Sequence, residues 1–378
     1  MQQAMTVMEM AQQVNQATVD NLKNDLIVDT STSARVVLTD GFGPPSDRLR
    51  MEVTDHDGKA HHFTINEHAH RQIAAKIKVH WSHYRRCLDD HVDLYIDTVN
   101  KLFEREPKEC MFRMFGDRLR AVLSSRYRRI DNLEVLSQTL PVISNLDTVV
   151  LGSNVNDNYM NMKVLFRDEN LRHTVAKANG NERVVLPGFR LSNSETGQGS
   201  LKLEGFFYDS YCTNGCVFGV DNLFNFSRTH IGSKLDAGAD LQILSSETIE
   251  QENKLIIAQL SDCMRSLSNP DNVQKLADHL ILAANTEQVK KPIEAINMIT
   301  KEFQLSEIEH QKALETFLRD ADFSKFGLAS AVTEIANEAD ICTYDRANEI
   351  ESIGGKILNF GDAMWNRIVN LEPQMIAA

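Results

Sequence analysis

Residues 48–65 read RLRMEVTDHDGKAHHFTI, and this stretch carries the clearest structural signal in the first part of the chain. Apolar and polar residues alternate on both sides of Asp57-Gly58. Two alternating runs joined at Asp-Gly are the strongest short-range signal for a β-hairpin. We therefore predict a hairpin over 48–65, with a further short strand at 34–39.

A long helical pattern follows the predicted hairpin. From Glu67 to about Glu104, apolar residues recur every three or four positions, and Glu106-Pro107 marks the end of the pattern. The apolar stripe consists of Ile73, Ile77, Trp81, Tyr84, Leu88, Val92, Ile96, Val99 and Phe103. One small sheet would not cover a stripe of about ten turns. Together with open strand edges at 34–39 and 48–65, the stripe predicts a homo-oligomer. Alternatively, the C-terminal helices cover it within one chain.

Strand patterns dominate the middle of the chain. Residues 111–130 are strand-like, and Asp131 is predicted to cap a helix with Glu134 at capping-box spacing. Further strands are expected at about 146–151, 157–167, 183–192, 199–208 and 215–219. The turn signals between them are Gly152-Ser153-Asn154, Gly180-Asn181, Gly197 to Gly199 and Asn214-Gly215.

The C-terminal part has a helical pattern from about residue 245. Asn269-Pro270 and Ser306-x-x-Glu309 are predicted to begin helices, and Gly354-Gly355 to interrupt the last stretch. Segregated strands and helices predict an α+β fold, with a mixed hairpin, long-helix and antiparallel-sheet domain followed by an α-helical domain. The expected parts are an N-terminal helix or tail over 1–30, an α+β core domain over 31–240 and an acidic helical domain over 241–378.

Composition narrows the class of protein. Apolar residues make up 42% of the 378 positions and charged residues 25%, which is typical of globular proteins. No apolar run reaches the ~18 residues that a membrane span requires. The first residues have neither the basic nor the apolar part of a secretion signal. We expect a cytoplasmic protein with reduced thiols and without membrane contact.

The charge is unevenly distributed. Residues 1–235 contain 28 Lys and Arg against 29 Asp and Glu, whereas residues 236–378 contain 12 against 24. An acidic C-terminal part can compete with nucleic acid for a basic face. Alternatively, acidic helices simply keep the protein soluble.

Histidines and cysteines raise the question of a metal. Eight of the twelve histidines are His56, His61, His62, His68, His70, His80, His83 and His91. No HExxH motif accompanies them, and we expect solvated or interface histidines. Cys212 and Cys216 are predicted to be structural thiols beside a tight Asn214-Gly215 turn, with a zinc or redox pair as alternatives. We predict neither a metal site nor a cofactor.

A basic and aromatic segment is the strongest functional signal. Between Phe112 and Arg129, arginines alternate with aromatic rings, and a similar group lies on the preceding helical stretch. Cations along the phosphates and rings that stack on bases are what single-stranded nucleic acid requires. The predicted binding residues are Arg113, Arg118, Arg120, Arg126, Tyr127, Arg128, Arg129, Arg85 and Arg86. Alternatively, the rings belong to the core and the arginines pair with Asp117, Asp131 and Glu134.

Catalytic patterns are scarce. The sequence has no P-loop, no GxGxxG and no GxSxG nucleophile elbow. Asp55-His56-Asp57 is interpreted as turn chemistry and not as a metal site. We predict no catalytic residue, and an enzyme is the less favoured class.

Several motifs in order resemble one protein family. They are Leu123 to Asn132 (LSSRYRRIDN), Leu191 to Ser200 (LSNSETGQGS), Cys212 to Cys216, Arg228-Thr-His230 and Ala331 to Glu334. The segment from roughly 110 to 355 resembles the phage- and plasmid-like proteins grouped as "domain of unknown function 932". The resemblance implies a mobile genetic element as the source. It directs attention to Arg126, Tyr127, Asp131, Asn132, Asn193, Glu195, Gly197 and Asn214.

Two functions compete. The first is a phage or plasmid protein of DNA metabolism that binds single-stranded DNA, such as a strand-annealing recombination protein. The second is a non-catalytic structural or interaction protein, an assembly factor or host-defence antagonist, that uses the acidic helical domain. A metal-dependent nuclease ranks third.

Overall fold

Two β-sheets and a C-terminal group of helices make up the described part of the chain. The computed structural model describes residues 7–21, 25–176, 180, 182–209, 214–218, 225–230, 246–338 and 340–370. The predicted α+β class is confirmed, because strands lie in the first two thirds of the chain and helices follow them. No helix of the described residues is long and apolar enough to cross a bilayer.

The first sheet has six strands among the described residues, in the order β1-β5-β6-β4-β3-β2. These strands are β1 (Leu26–Asp29), β2 (Ala34–Leu38), β3 (Leu49–Thr54), β4 (Ala60–Ile65), β5 (Glu109–Phe115) and β6 (Arg118–Ser124). The helices of this region are α1 (Val7–Asn21), α2 (Thr30–Ser33), α3 (Pro45–Arg48), α4 (Glu67–Lys76), α5 (Trp81–Asp90) and α6 (Val92–Arg105). Residues 26–29, expected within an N-terminal helix or tail, instead form the edge strand β1 against β5.

The predicted hairpin over 48–65 is confirmed as β3 and β4, and strand 34–39 as β2. The Asp55 carboxylate accepts hydrogen bonds from the backbone N–H groups of Asp57 (3.0 Å) and Lys59 (2.9 Å). Its other oxygen lies 2.8 Å from Nε2 of His61. Asp55 therefore acts as a turn residue, as the sequence indicates.

The single helix predicted over Glu67 to Glu104 is wrong, because the chain bends twice and forms α4, α5 and α6. The first break contains Lys78, whose φ of 56° is left-handed. The second break lies at His91, with φ −142° and ψ 65°. Three short helices can each lay an apolar face on one small sheet, which a straight helix of this length cannot do.

The bends also cover the apolar stripe. Ile73, Tyr84 and Phe103 are buried in one core with the strands of the first sheet. The edge of β2 is protected as well, because the Asn100 side chain accepts from the N–H of Val36 (2.7 Å) and donates to its carbonyl (2.9 Å). Self-association therefore stays a prediction that neither the stripe nor this strand edge supports.

The second sheet has the order β12-β11-β10-β8-β7, with β9 beside β10 and β13 beside β11. Helix α7 (Asn132–Asn145) precedes this sheet in the chain. The strands are β7 (Thr148–Val155), β8 (Met160–Phe166), β9 (His173–Ala176), β10 (Glu182–Asn193), β11 (Leu201–Asp209), β12 (Asn214–Phe218) and β13 (Asn225–Arg228). The turns predicted at Gly152-Ser153-Asn154 and at Asn214-Gly215 are wrong. The first triplet lies in β7, where the register shifts between Val150 and Gly152, and the second pair begins β12. The turn predicted at Gly180-Asn181 lies partly outside the described residues.

The C-terminal helices share one core with the second sheet. They are α8 (Ser246–Leu267), α9 (Pro270–Ala284), α10 (Pro292–Phe303), α11 (Glu307–Asp320), α12 (Lys325–Thr333), α13 (Tyr344–Leu358) and α14 (Asp362–Val369). Phe189 of β10, Leu260 of α8 and Ile350 of α13 belong to the same cluster. Met10 and Val14 of α1 also belong to this second core, and apart from α1 the two cores divide near residue 125. The domain boundary expected at 240 stays a prediction.

The helix starts expected in this part are confirmed. The Asn269 side chain accepts from the N–H of Asp271 with Pro270 at the first helical position, and Ser306 and Glu309 form both bonds of a capping box. Gly354-Gly355 does not interrupt the last stretch, since both residues lie inside α13.

A buried polar cluster joins α4, α5 and α6. Nδ1 of His70 lies 3.0 Å from the hydroxyl of Tyr84 and 3.3 Å from that of Tyr95, and the two hydroxyls lie 3.0 Å apart. Burial lowers the pKa of His70 to about 4. The imidazole is therefore neutral in the folded protein at neutral pH.

We expect this cluster to make the protein acid-sensitive. Because the pKa of His70 is lower in the folded state than its usual 6.5, its contribution is complete above pH 6.5 and is lost as the pH falls toward 4. The loss is about 3 kcal/mol at ~1.4 kcal/mol per pKa unit. Urea unfolding between pH 7 and 4 measures it, and His70→Gln should flatten the profile. The exposed His83→Gln is the matched control, and parallel profiles for wild type and His70→Gln would contradict the assignment.

Candidate functional site

The β5–β6 hairpin carries three of the predicted arginines, Arg113, Arg118 and Arg120. Arg113 lies opposite Ala121, but the next residue, Met114, lies opposite Leu119. Arg120 is thus the extra residue of a β-bulge, a feature that re-aims a side chain. The bulge brings Arg120 to the face of Arg113, and both guanidinium groups reach Glu195.

Arg113 is buried and its guanidinium has three partners. Nε donates to Oδ2 of Asp25 (2.9 Å), Nη2 to Oδ1 of Asp131 (2.7 Å) and Nη1 to the carbonyl of Glu195 (3.0 Å). These partners come from the segment before β1, the segment before α7 and the β10–β11 loop. Burial raises the pKa of Asp25 above its ordinary value, although the Arg113 guanidinium opposes the shift.

Glu195 caps α7, the helix that the sequence pattern predicts to be capped by Asp131. Asp131 occupies the N-cap position of α7, but its side chain makes no capping hydrogen bond. Instead Oε1 of Glu195 accepts from the backbone N–H of Asn132 (2.7 Å), while Oε2 accepts from Nη1 of Arg120 (3.1 Å). The prediction of a capping box with Glu134 is wrong because the Asp131 carboxylate binds Arg113.

The loop before α7 is fastened to the β10–β11 loop. The Tyr127 hydroxyl donates to the carbonyl of Ser194 (3.0 Å), and its ring stacks on His230 with centroids 5.2 Å apart. The Asn193 amide donates to the carbonyl of Ile130 (2.9 Å) and to Oδ1 of Asn132 (2.8 Å). Two stretches that carry the family resemblance, 123–132 and 191–200, therefore meet in space.

A cleft of about 170 Å³ opens beside this junction. α1, the β5–β6 hairpin, the segment before α7 and the β7–β8 turn line it, and Glu195 lies at its floor. Its outer arginines are Arg129, whose side chain is 51% exposed, and Arg118, which is 45% exposed. The carboxylates are less exposed, at 10% for Asp25, 11% for Glu195, 26% for Asp131 and 31% for Asp157. The most exposed charges of the cleft, at its mouth, are therefore guanidinium groups, whereas its buried interior contains both carboxylates and the guanidinium groups of Arg113 and Arg120.

Phe115 lines the cleft between these arginines. The guanidinium carbons of Arg118 and Arg120 lie 5.5 and 5.6 Å from the centroid of its ring. Arg118 also forms a two-pronged ion pair with Asp157, at 3.2 and 3.1 Å. The ring is only partly buried.

The structure brings Arg113, Arg118, Arg120 and Arg129 together in this cleft and leaves the other predicted residues outside its lining. Arg113 and Arg120 are buried by ion pairs with carboxylates, which is the alternative that the sequence leaves open, although with partners other than Asp117 and Glu134. Arg128 pairs with Glu252 of α8, and Tyr127 belongs to the buried junction. Arg126 is exposed at the surface.

Arg85 and Arg86 lie on α5. Arg85 pairs with Glu67 (2.8 Å) and Asp89 (2.7 Å), and Arg86 is exposed. Sequence reasoning misses Asp25, Asp157 and Glu252. No local pattern marks them, because each partner lies far away along the chain.

The described residues contain no group of three or more His, Cys, Asp or Glu side chains placed to hold a metal ion. His61 and His62 instead face the carboxylates of Asp55 and Glu52. Cys212 lies outside the described residues, so the structure says nothing of the Cys212–Cys216 pair.

Comparisons with protein-family models, with curated proteins and with solved structures find no match.

We expect Gly197 to be essential to the junction. Its φ is +79°, and a Cβ there would lie 2.8 Å from Cδ2 of Leu123. Gly197→Ala should lower the free energy of unfolding by about 2–5 kcal/mol, since a left-handed alanine costs ~1–2 and the clash adds ~1–3. Gly58→Ala is the matched control, with φ +78° and open space around the Cβ. Equal losses in urea unfolding would show that the Leu123 contact is unimportant.

Proposed function

We propose that this chain binds single-stranded DNA, without catalysis, along the mouth of the cleft formed by Phe115, Arg118 and Arg129. The observation that carries the proposal is the order of exposure in the cleft. The outer arginines are about half exposed, whereas the exposure of the four carboxylates ranges from 10% to 31%. A phosphate backbone at the mouth would thus meet guanidinium groups first.

The Phe115 ring supports a single strand over a duplex. Every base has a π-face, and an aromatic ring that lines a binding cleft can stack on it regardless of sequence. A duplex offers no unstacked base for this contact. A role in DNA metabolism of a phage or plasmid, such as strand annealing, rests on the family resemblance and extends this proposal.

A second candidate function, protein interaction through the acidic helices, is favoured by one observation. Leu282, Ile293 and Ile308 of α9, α10 and α11 are more than half exposed. Large exposed apolar side chains are common at contact surfaces. Absence of DNA binding at a low salt of ~50 mM, where the electrostatic attraction is strong, would favour this alternative.

We expect the double variant Arg118→Gln, Arg129→Gln to bind a fluorescently labelled oligo(dT) more weakly and with less salt dependence. The slope of log affinity against log salt falls by about 0.7 for each phosphate that the protein no longer neutralises, so by about 1.4 for two. Anisotropy titrations between ~50 and ~200 mM salt measure this slope.

The matched control is Arg167→Gln, Arg172→Gln. It removes two exposed arginines from surface ion pairs with Asp147 and Glu169, outside the cleft. If both double variants reduce affinity equally, net charge and not the cleft would explain binding.

A change at the ring should act differently. Phe115→Leu keeps an apolar side chain but removes the stacking surface, which is worth about 1–3 kcal/mol per base. We expect affinity for oligo(dT) to fall by that amount while the salt slope stays unchanged. An unchanged affinity would remove Phe115 from the interface.

A further inference from the structure

The floor of the cleft differs chemically from its mouth. Four arginines and four carboxylates line the cleft, so its formal charge is balanced. A site for phosphate alone needs an excess of cations. Most of these groups pair with one another, so a ligand would meet the donor and acceptor atoms that the pairs leave unused. Donors and acceptors beside an aromatic ring suit the edge of a nucleobase.

The size of the cleft fits one base. Its volume of 170 Å³ is slightly larger than an apolar cavity of about 150 Å³ that holds benzene. A ring system therefore fits, whereas a complete nucleotide with its phosphate does not. The sugar and phosphate would remain at the mouth, beside Arg118.

Asp131 and Arg129 provide the groups that can read a base. Oδ1 of Asp131 accepts from Arg113, and Oδ2 has no hydrogen-bond partner among the described residues. The Arg129 guanidinium has one ion pair in the part of the chain that the structure describes, a distant one of 3.9 Å to Asp25. A carboxylate acceptor and a guanidinium donor thus stand two residues apart in the same cleft.

Arg120 adds a further unused donor. Its side chain is buried, and its Nε–H has no hydrogen-bond partner among the described residues. Buried polar groups normally have hydrogen-bond partners, so a ligand with an acceptor atom could satisfy this donor.

We infer that the cleft is a guanine-selective base pocket, with Phe115 stacking on the base while Asp131 and Arg129 read its edge. This inference rests on the proposed binding of single-stranded DNA. Guanine offers a carboxylate two adjacent donors, N1–H and the N2 amino group, and places the O6 acceptor beside them for a guanidinium. Adenine, cytosine and thymine lack this pair of adjacent donors next to an acceptor.

The test compares labelled 12-mers of dT that carry a single central dG, dA or deoxyinosine. Deoxyinosine is guanine without the N2 amino group, so it isolates one donor in the wild-type protein. We expect dG to bind about tenfold more tightly than dA, and deoxyinosine to lose most of that advantage. Equal affinity for the three oligonucleotides would overturn the base pocket and leave single-strand binding intact. Absence of binding to all of them would overturn the proposed function itself.

A protein variant supplies the second arm. Asp131→Asn replaces one acceptor oxygen by a donor, so the ratio of dG to dA affinity should fall toward one. The amide oxygen of asparagine can still accept from Arg113. Because the ratio is measured within one protein, a smaller folded fraction does not change it. Asp157→Asn, at the mouth of the same cleft, is the control that should keep the ratio. A ratio that survives Asp131→Asn would remove Asp131 as the reader of the base.

Discussion

The buried guanidinium of Arg113 organises the site. It donates to Asp25, to Asp131 and to the carbonyl of Glu195, and so connects the first sheet to the segment before α7 and to the β10–β11 loop. A buried charge is tolerated only when its hydrogen bonds are satisfied, and removing one partner of such a set typically costs about 3–5 kcal/mol. The geometry of the cleft follows from this constraint, because Arg113 and its partners line the cleft.

Glu195 extends the connection. Its carboxylate caps α7 at Asn132 and pairs with Arg120, whose position depends on the β-bulge opposite Arg113 and Met114. The helix, the hairpin and the loop are therefore oriented relative to one another by one acidic side chain. The more exposed Arg118 and Arg129 lie beside this cross-linked part of the structure. Its fixed geometry reduces the conformational entropy that the protein loses when a ligand binds.

The acidic C-terminal helices are part of the structure that supports the site. Glu252 of α8 pairs with Arg128, and Lys163 of β8 pairs with Glu351 of α13. Because these helices share a core with the second sheet, removal of residues from 245 onward would expose that core. Their negative charge therefore cannot be separated from folding by truncation, and substitutions of single surface residues are the appropriate probes.

Local sequence specifies the features that depend on neighbours in the chain. The hairpin at Asp57-Gly58 and the caps at Asn269 and Ser306 are predictable, because their hydrogen bonds join residues a few positions apart. The α+β class is predictable because the strand patterns and the helix patterns occupy different parts of the chain. The sequence also indicates that arginines and rings between Phe112 and Arg129 matter. Long-range packing, in contrast, determines that α4, α5 and α6 are separate helices. It also determines that Glu195, and not Asp131, caps α7. Finally, it buries Arg113 and Arg120 but leaves Arg118 and Arg129 exposed. These outcomes depend on partners more than sixty positions away, such as Asp25 and Glu195, and on the burial of apolar surface by whole elements, which no local pattern encodes.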